Sequence, residues 1–375
     1  MIKQKDNIPR IKVGITHGDF NGISYEIIIK TFLDNRLLDL FTPVIYGSSK
    51  IASYYRKTLD YLDMNFNLVK KAEYANSKRV NIINCYEQEV KIDIGKQTNI
   101  AGELAFLALE KSIEDLKQKT LDVLVTAPIN KKNIQSEKFN FFGHTDYLAS
   151  KFDTNDHLMI MVKDKLRIGI LTGHIPVREI ANTITEDLIL NKIRIMHKSL
   201  QMDFGIRKPK IAVLGLNPHA GDDGLIGKEE IEIISPAIKK ANSENILAFG
   251  PFPADGFFGS SNYTAFDGII AMYHDQGMLP FKSFAFDDGV NFTAGLPIIR
   301  TSPAHGTAYN IAGKNTASPN SFRQAIYLAI DIHKNRSQYK DSNKNPLPIS
   351  PPAQKQAYKK PDHQAVEKSN ENKNG

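Results

Sequence analysis

Nine short runs of apolar, largely β-branched residues punctuate the chain, separated by stretches with the three-to-four-residue repeat of an amphipathic helix. The runs are Ile11–Thr16, Pro43–Tyr46, Asn81–Ile83, Leu121–Thr126, Leu158–Val162, Arg167–Thr172, Lys210–Leu216, Gly268–Met272 and Val290–Thr293. Helical periodicity falls near 24–34, 99–118, 185–203, 227–241 and 318–334. A strand that is apolar on both faces must be covered on both, which happens where helices pack against a parallel sheet. The pattern therefore predicts α/β layers around a largely parallel sheet, without internal repeats. With 375 residues, 41% of them hydrophobic, there is material for two domains or one large unit.

Several classes of protein are disfavoured at once. No apolar run reaches the length of a membrane span, and the N-terminal MIKQKDNIPR lacks the apolar core of a secretory signal. The one cysteine, Cys85, allows neither an internal disulfide nor a cysteine-based zinc site. These features lead us to expect a cytoplasmic protein. The net charge of +7 is dispersed rather than clustered, as a nucleic-acid surface would require. Beyond Arg336 the composition turns to Pro, Lys, Asn, Ser and Gln, and residues 337–375 are expected to be a disordered tail.

In open α/β sheets ligands bind beyond the carboxyl ends of strands, so the residues just after each run carry the chemistry. These are His17-Gly18-Asp19, then Ala127-Pro128-Ile129-Asn130-Lys131, Gly173-His174, Asn217-Pro218-His219 and Tyr273-His274-Asp275-Gln276. His174, His219 and His274 follow three separate strands. Neutral imidazoles suit zinc, cobalt or similar ions, and three protein ligands with an open position is the catalytic pattern. The plainer reading is three polar loop residues. Elsewhere, GHTD at 143–146 offers His144 and Thr145, although Thr145 would equally serve as a helix cap. Lys282, Asn291 and Arg300 lie among apolar residues, where cations that face a cleft match phosphate or carboxylate. No G-x-G-x-x-G follows any strand, so a Rossmann dinucleotide site is not supported.

The strings TAPINK (126–131), GHTD (143–146), GLNPHAG (215–221), MYHDQG (272–277), GVNFTAGLPIIRTSPAHGTA (289–308) and AGK (312–314) resemble, in the same order, those of the 4-hydroxythreonine-4-phosphate dehydrogenases. The resemblance spans about residues 10–335. It implies two α/β/α domains around a central cleft, as in isocitrate and isopropylmalate dehydrogenases: residues 1–130 with 302–336, and 131–301. HGTAYNIAGKN also resembles the adenine-side loop of those enzymes, which implies NAD or NADP contacts at His305, Gly306, Thr307 and Gly313.

The family further implies one divalent metal (Zn, Co, Mn or Mg) on His174, His219 and His274. Substrate contacts map to His144, Thr145, Lys282, Asn291 and Arg300, in a homodimer whose subunits share the site. Asp255 and Asp275 are acids in matching motifs, open to either of two roles: orienting a histidine or accepting a proton. The reaction implied is oxidation of 4-phosphooxy-L-threonine at C3 and decarboxylation to 3-amino-2-oxopropyl phosphate, in pyridoxal 5'-phosphate biosynthesis. The alternatives are a dehydrogenase of another phosphorylated hydroxy acid, such as a threonate or erythronate phosphate, and a phosphate acyltransferase. One departure stands out: the usual Gly-Asp-Pro-Ala-Gly-Ile-Gly-Pro-Glu reads GDFNGISYE here, at residues 18–26.

Overall fold

All nine apolar runs form strands, and every one belongs to the same twelve-stranded sheet. The computed structural model describes residues 10–154 and 156–345. Its strands are β1 (Lys12–Thr16), β2 (Thr42–Gly47), β3 (Phe66–Leu68), β4 (Val80–Asn84), β5 (Val123–Thr126), β6 (Leu158–Lys163), β7 (Leu166–Ile170), β8 (Lys210–Leu214), β9 (Leu247–Phe252), β10 (Gly268–Ala271), β11 (Val290–Ala294) and β12 (Arg300–Pro303). The helices are α1 (Ser24–Thr31), α2 (Ser49–Thr58), α3 (Asn99–Lys117), α4 (His144–Lys151), α5 (Ile180–Thr183), α6 (Glu186–Met202), α7 (Ser235–Ser243), α8 (Ala254–Gly259), α9 (His274–Phe284) and α10 (Asn320–Ser342).

Strand order is β3-β4-β2-β1-β5-β12-β11-β6-β7-β10-β8-β9. The first six strands are mutually parallel, as are the last four. Between the two blocks β11 runs antiparallel to both β12 and β6, and β6 antiparallel to β7. The sheet is thus mixed rather than wholly parallel, and its sense changes near the middle. The central strands are buried almost throughout, with Val13, Ile15, Val44, Ile45, Val123 and Val125 at zero exposure on one side and Ile160, Ile168, Ile211 and Val213 on the other. At about 25 cal/mol per Å² of apolar area removed from water, this layering is the main source of stability.

Two helices show how sequence signals set the boundaries. In α3 the Thr98 side chain accepts from the Ala101 N–H, and in α6 Thr185 accepts from Leu188, each supplying the partner that a helix's first turn lacks. α10 corrects the expected start of the tail. It continues past residue 337 to Ser342, because Arg336 is buried and donates to Asp203 at 2.6 Å while Asn335 donates to the Asp203 carbonyl. The expected disorder of residues 346–375 lies outside the described residues.

Candidate active site

Where the sheet reverses sense, a cavity of about 420 Å³ opens. Its walls come from β6 (Met159), β7 and the residues after it (Ile170–Ile175), β11 (Asn291), β12 (Arg300), α4 and α6. A change of strand direction leaves the flanking loops splayed apart, which is where open α/β sheets hold ligands. Five of the predicted site residues line this one cavity: His144, Thr145, His174, Asn291 and Arg300.

Arg300 forms its floor. The residue is 3% exposed. Its Nε and Nη2 donate to Thr126 Oγ1 at 3.1 and 2.7 Å, and Nη2 reaches His144 Nδ1 at 3.2 Å. Burial pulls Arg300 down to about 9, which leaves it a cation at neutral pH. Its partners are all neutral, so the charge is uncompensated and suited to an anion. His144 is held well below its ordinary range, by burial first and then by Arg300 and Lys131. It is therefore neutral, with Nδ1 accepting and the proton assigned to Nε2. Thr145 does not cap α4; its hydroxyl shares a hydrogen bond with Thr293 at 3.2 Å. Asn291 Oδ1 is buried without a partner, an acceptor for a ligand N–H or O–H.

Two further cations line the cavity. Lys131, at the end of the TAPINK string, stands 3.3 Å from His174 Nε2. Lys192, from α6, donates to the His157 carbonyl at 2.6 Å. Burial lowers both amines, with nearby carboxylates opposing. Neither was among the predicted site residues. Lys131 lay within a motif, whereas Lys192 sits mid-helix and carries no local signal.

The three histidines follow β7, β8 and β10, which are neighbours in the order β7-β10-β8. Their ends are cross-linked. Thr172 Oγ1 donates to the Met272 carbonyl at 2.9 Å, and Gln276 accepts from Met272 N and donates to the Gly215 carbonyl at 2.7 and 2.6 Å. The His174 and His274 rings lie 5.1 Å apart, centroid to centroid. Asp275 Oδ1 engages His274 Nδ1 at 2.7 Å, which orients the ring and frees Nε2 for a ligand. This donor set, two neighbouring imidazoles with one backed by a carboxylate, fits a divalent transition metal. Among the described residues, however, no group of three or more His, Cys, Asp or Glu closes around one point. His219 lies on an exposed turn and is not drawn into the pair.

Other predicted residues lie outside the cavity. Lys282 is exposed in the last turn of α9, and Asp255 is exposed in the first turn of α8. The 305–313 segment is a separate loop with left-handed Ala308 (φ 43°) and Gly313 (φ 72°) and a buried, unpartnered His305 Nε2. It rests on the altered 18–26 loop. Ile23 N donates to the Thr307 carbonyl at 3.0 Å, and a Cβ on Gly22 would stand 2.6 Å from that oxygen. Asp19 accepts from Tyr309 Oη and Asn133 Nδ2 at 2.6 and 2.7 Å. Asn21 clamps the segment that leads into α3 through Thr98 Oγ1 and Asp93 N at 2.9 and 3.0 Å. Phe20 and Tyr25, both fully buried, fill the space beneath. The departures thus form a repacked support for this loop.

A family model described as pyridoxal phosphate biosynthetic protein PdxA matches residues 39–329. The chain is similar to the 4-hydroxythreonine-4-phosphate dehydrogenase of Bacteroides thetaiotaomicron, 54% identical over 354 residues that make up 94% of this chain and 95% of that one. It is 36% identical to the putative D-threonate 4-phosphate dehydrogenase of Oceanobacillus iheyensis, over 85% of this chain and 97% of that one. Among solved structures, the 4-hydroxythreonine-4-phosphate dehydrogenase of Klebsiella pneumoniae superposes with a TM-score of 0.74 at 32% identity, covering 87% of this chain and 99% of that one.

Proposed function

The chain belongs to the PdxA family of pyridoxal phosphate biosynthetic proteins, and from that premise we propose that it catalyses NAD(P)-linked oxidation of 4-phosphooxy-L-threonine at C3. Decarboxylation to 3-amino-2-oxopropyl phosphate follows. The observation that carries this reading is the uncompensated Arg300 cation on the cavity floor, with the His174–His274 pair lining or adjoining the same cleft. Lys131, Lys192 and Arg300 outnumber the single cavity carboxylate, Asp146, which suits a substrate bearing both phosphate and carboxylate.

In this reading the chain's own residues bind and orient. Arg300 receives one substrate anion. The Nε2 proton of neutral His144 and the Thr145 hydroxyl donate to the same anion, and Asn291 Oδ1 accepts from the substrate's ammonium or hydroxyl. His174, His219 and His274 would hold a divalent metal, with Asp275 fixing the His274 tautomer. Such a metal would supply Lewis-acid chemistry at the substrate, and a bound NAD(P) would supply the hydride acceptor. For the dinucleotide we propose the 305–313 loop, through His305, Gly306, Thr307 and Gly313. Asp255 we retain as a candidate proton acceptor.

A second copy of the chain completes the arrangement. Lys282 is exposed and does not line the cavity of its own chain, and near it in sequence Leu279 and Phe286 are 70% and 93% exposed, a surface suited to burial against another subunit. We propose that Lys282 serves the partner's site. Residues 1–130 with 302–336, and residues 131–301, are the proposed lobes of the cleft. The test is a substrate panel: 4-phosphooxy-L-threonine, D-threonate 4-phosphate and D-erythronate 4-phosphate, each with NAD and NADP. The reading requires the first to give the highest kcat/KM; preference for a threonate or erythronate phosphate would reassign the substrate.

A further inference from the structure

His219 is carried by a turn that the chain adopts only under constraint. From His219 to Asp223 every residue has a positive φ: 53°, 52°, 83°, 46° and 53°. Four of the five are not glycine. L-residues enter this left-handed region singly, because Cβ then crowds the following carbonyl, and a run of them persists only when the surroundings over-determine it.

The constraint is Glu230. Glu230 is 3% exposed, and its carboxylate lies against Gly221 of the turn. Oε1 accepts from the backbone N–H groups of Leu216 and Asn217 at 2.7 and 2.8 Å, and Oε2 accepts from Asn217 Nδ2 at 3.0 Å. The turn wraps the carboxylate closely, since a Cβ on Gly221 would lie 2.6 Å from Oε2. Among the described residues no Lys or Arg forms an ion pair with Glu230, so its charge is stabilised by these donors alone. A buried carboxylate with only amide partners is expensive to place. Its partners Leu216 and Asn217 immediately precede the turn, and Gly221 lies within it, so the carboxylate bears on the segment that carries His219, the one predicted metal ligand that the fold leaves apart from its fellows. Glu230 also opens a π-helical stretch, Glu230–Ile234, an irregularity frequent at functional sites. Gln276 fixes the end of β8 relative to the helix that carries His274, so the angle at which His219 leaves β8 depends on the turn that Glu230 shapes.

We propose that Glu230 is a positioning residue for metal binding: its carboxylate sets the left-handed turn that presents His219 as a ligand. This rests on the reading of His219 as a metal ligand, and the test separates the two. The full-length protein, stripped with a chelator, is titrated with cobalt(II) and followed by its visible spectrum, with melting temperature measured in parallel, for the wild type, Glu230→Gln, Asn217→Ala and His219→Ala. Glu230→Gln should stay folded, bind cobalt about 10–100-fold more weakly with an altered spectrum, and recover most of its kcat at saturating metal. Asn217→Ala, which removes the side-chain amide shared by Glu230 and Glu229 and keeps both backbone donors, should weaken binding in the same direction but less. His219→Ala should lose the ligand-field spectrum. If His219→Ala binds cobalt as the wild type does, the histidine reading fails and this proposal with it. If His219→Ala loses binding while Glu230→Gln and Asn217→Ala keep the wild-type affinity and spectrum, Glu230 has no positioning role. Should Glu230→Gln not fold, Asn217→Ala decides by the same criterion.

Discussion

Arg300 and His144 share a hydrogen bond of 3.2 Å at the floor of the cavity. The pairing joins a permanent cation to an imidazole that burial and that same cation keep neutral. Neither gains from the other what a carboxylate would give. Such an arrangement costs stability, and in the proposed function an anionic substrate would relieve that cost.

Replacing Arg300 with methionine should therefore separate function from stability. Loss of the anion contact is expected to lower kcat/KM by about 30- to 1,000-fold, or roughly 2–4 kcal/mol, with NAD(P) affinity little changed. The melting temperature should hold or rise, because an uncompensated buried charge has been removed. Melting curves and steady-state kinetics on one preparation check both. A fall in stability without a kinetic defect would place Arg300 in the fold rather than the site.

The 5.1 Å separation of the His174 and His274 rings within one chain decides a complementation experiment. If the proposed metal site takes both histidines from one subunit, as this distance favours, mixing His174→Ala with His274→Ala protomers should restore no activity. Mixing His174→Ala with Lys282→Ala should restore about a quarter of wild type, since half the dimers are mixed and one of their two sites is intact. Recovery in the first mixture contradicts the one-subunit histidine pair, and none in the second after verified subunit exchange contradicts the assignment of Lys282 across the interface.

His17 predicts an acid limb of stability. It is fully buried among the rings of Phe20, Tyr25 and Tyr86, and burial pushes it down from 6.5 to about 4. The folded state therefore holds the neutral form, while the unfolded chain takes up a proton below about 6.5. This contribution is complete above that pH and is lost progressively as pH falls toward 4, by up to about 3 kcal/mol. His17→Leu should flatten the dependence of melting temperature on pH across that window; an unchanged slope would exclude His17 as its source.

The Arg336–Asp203 pair ties α10 to the loop after α6, with both side chains nearly buried. Arg336→Ala leaves the Asp203 charge without its cation and should destabilise the protein by about 3–5 kcal/mol. Urea unfolding is the measurement. Adding Asp203→Asn should recover part of the loss, whereas equal or greater destabilisation in the double variant would show that the pair is not the cause.

The nine apolar runs were legible because buried strands in an α/β core need no polar face, so each reads as an unbroken apolar stretch. The strands missed were those with other signals in them: β9 contains Gly250 and Pro251, β12 begins with Arg300, and β3 is short and partly exposed. α9 was missed because Gly277 and Pro280 interrupt its periodicity. The change of sense between β12 and β7 depends on pairing partners distant in sequence, and nothing local encodes it. For the site, motifs placed His144, Thr145, His174, Asn291 and Arg300 at one cavity. Lys192 reaches it by tertiary packing alone. The strained turn at His219 was invisible because a lone Gly221 does not signal that its neighbours share its φ.

The central claim is a metal-dependent, NAD(P)-linked oxidative decarboxylation, and one assay addresses it most directly. The purified protein is incubated with 4-phosphooxy-L-threonine and NAD or NADP, with and without a chelator, while reduced nicotinamide and released carbon dioxide are measured together. The account predicts equal molar formation of both in the untreated protein, abolition of both by the chelator, and restoration by zinc, cobalt or manganese. Full turnover in the metal-free protein, or nicotinamide reduction without carbon dioxide release, would contradict it.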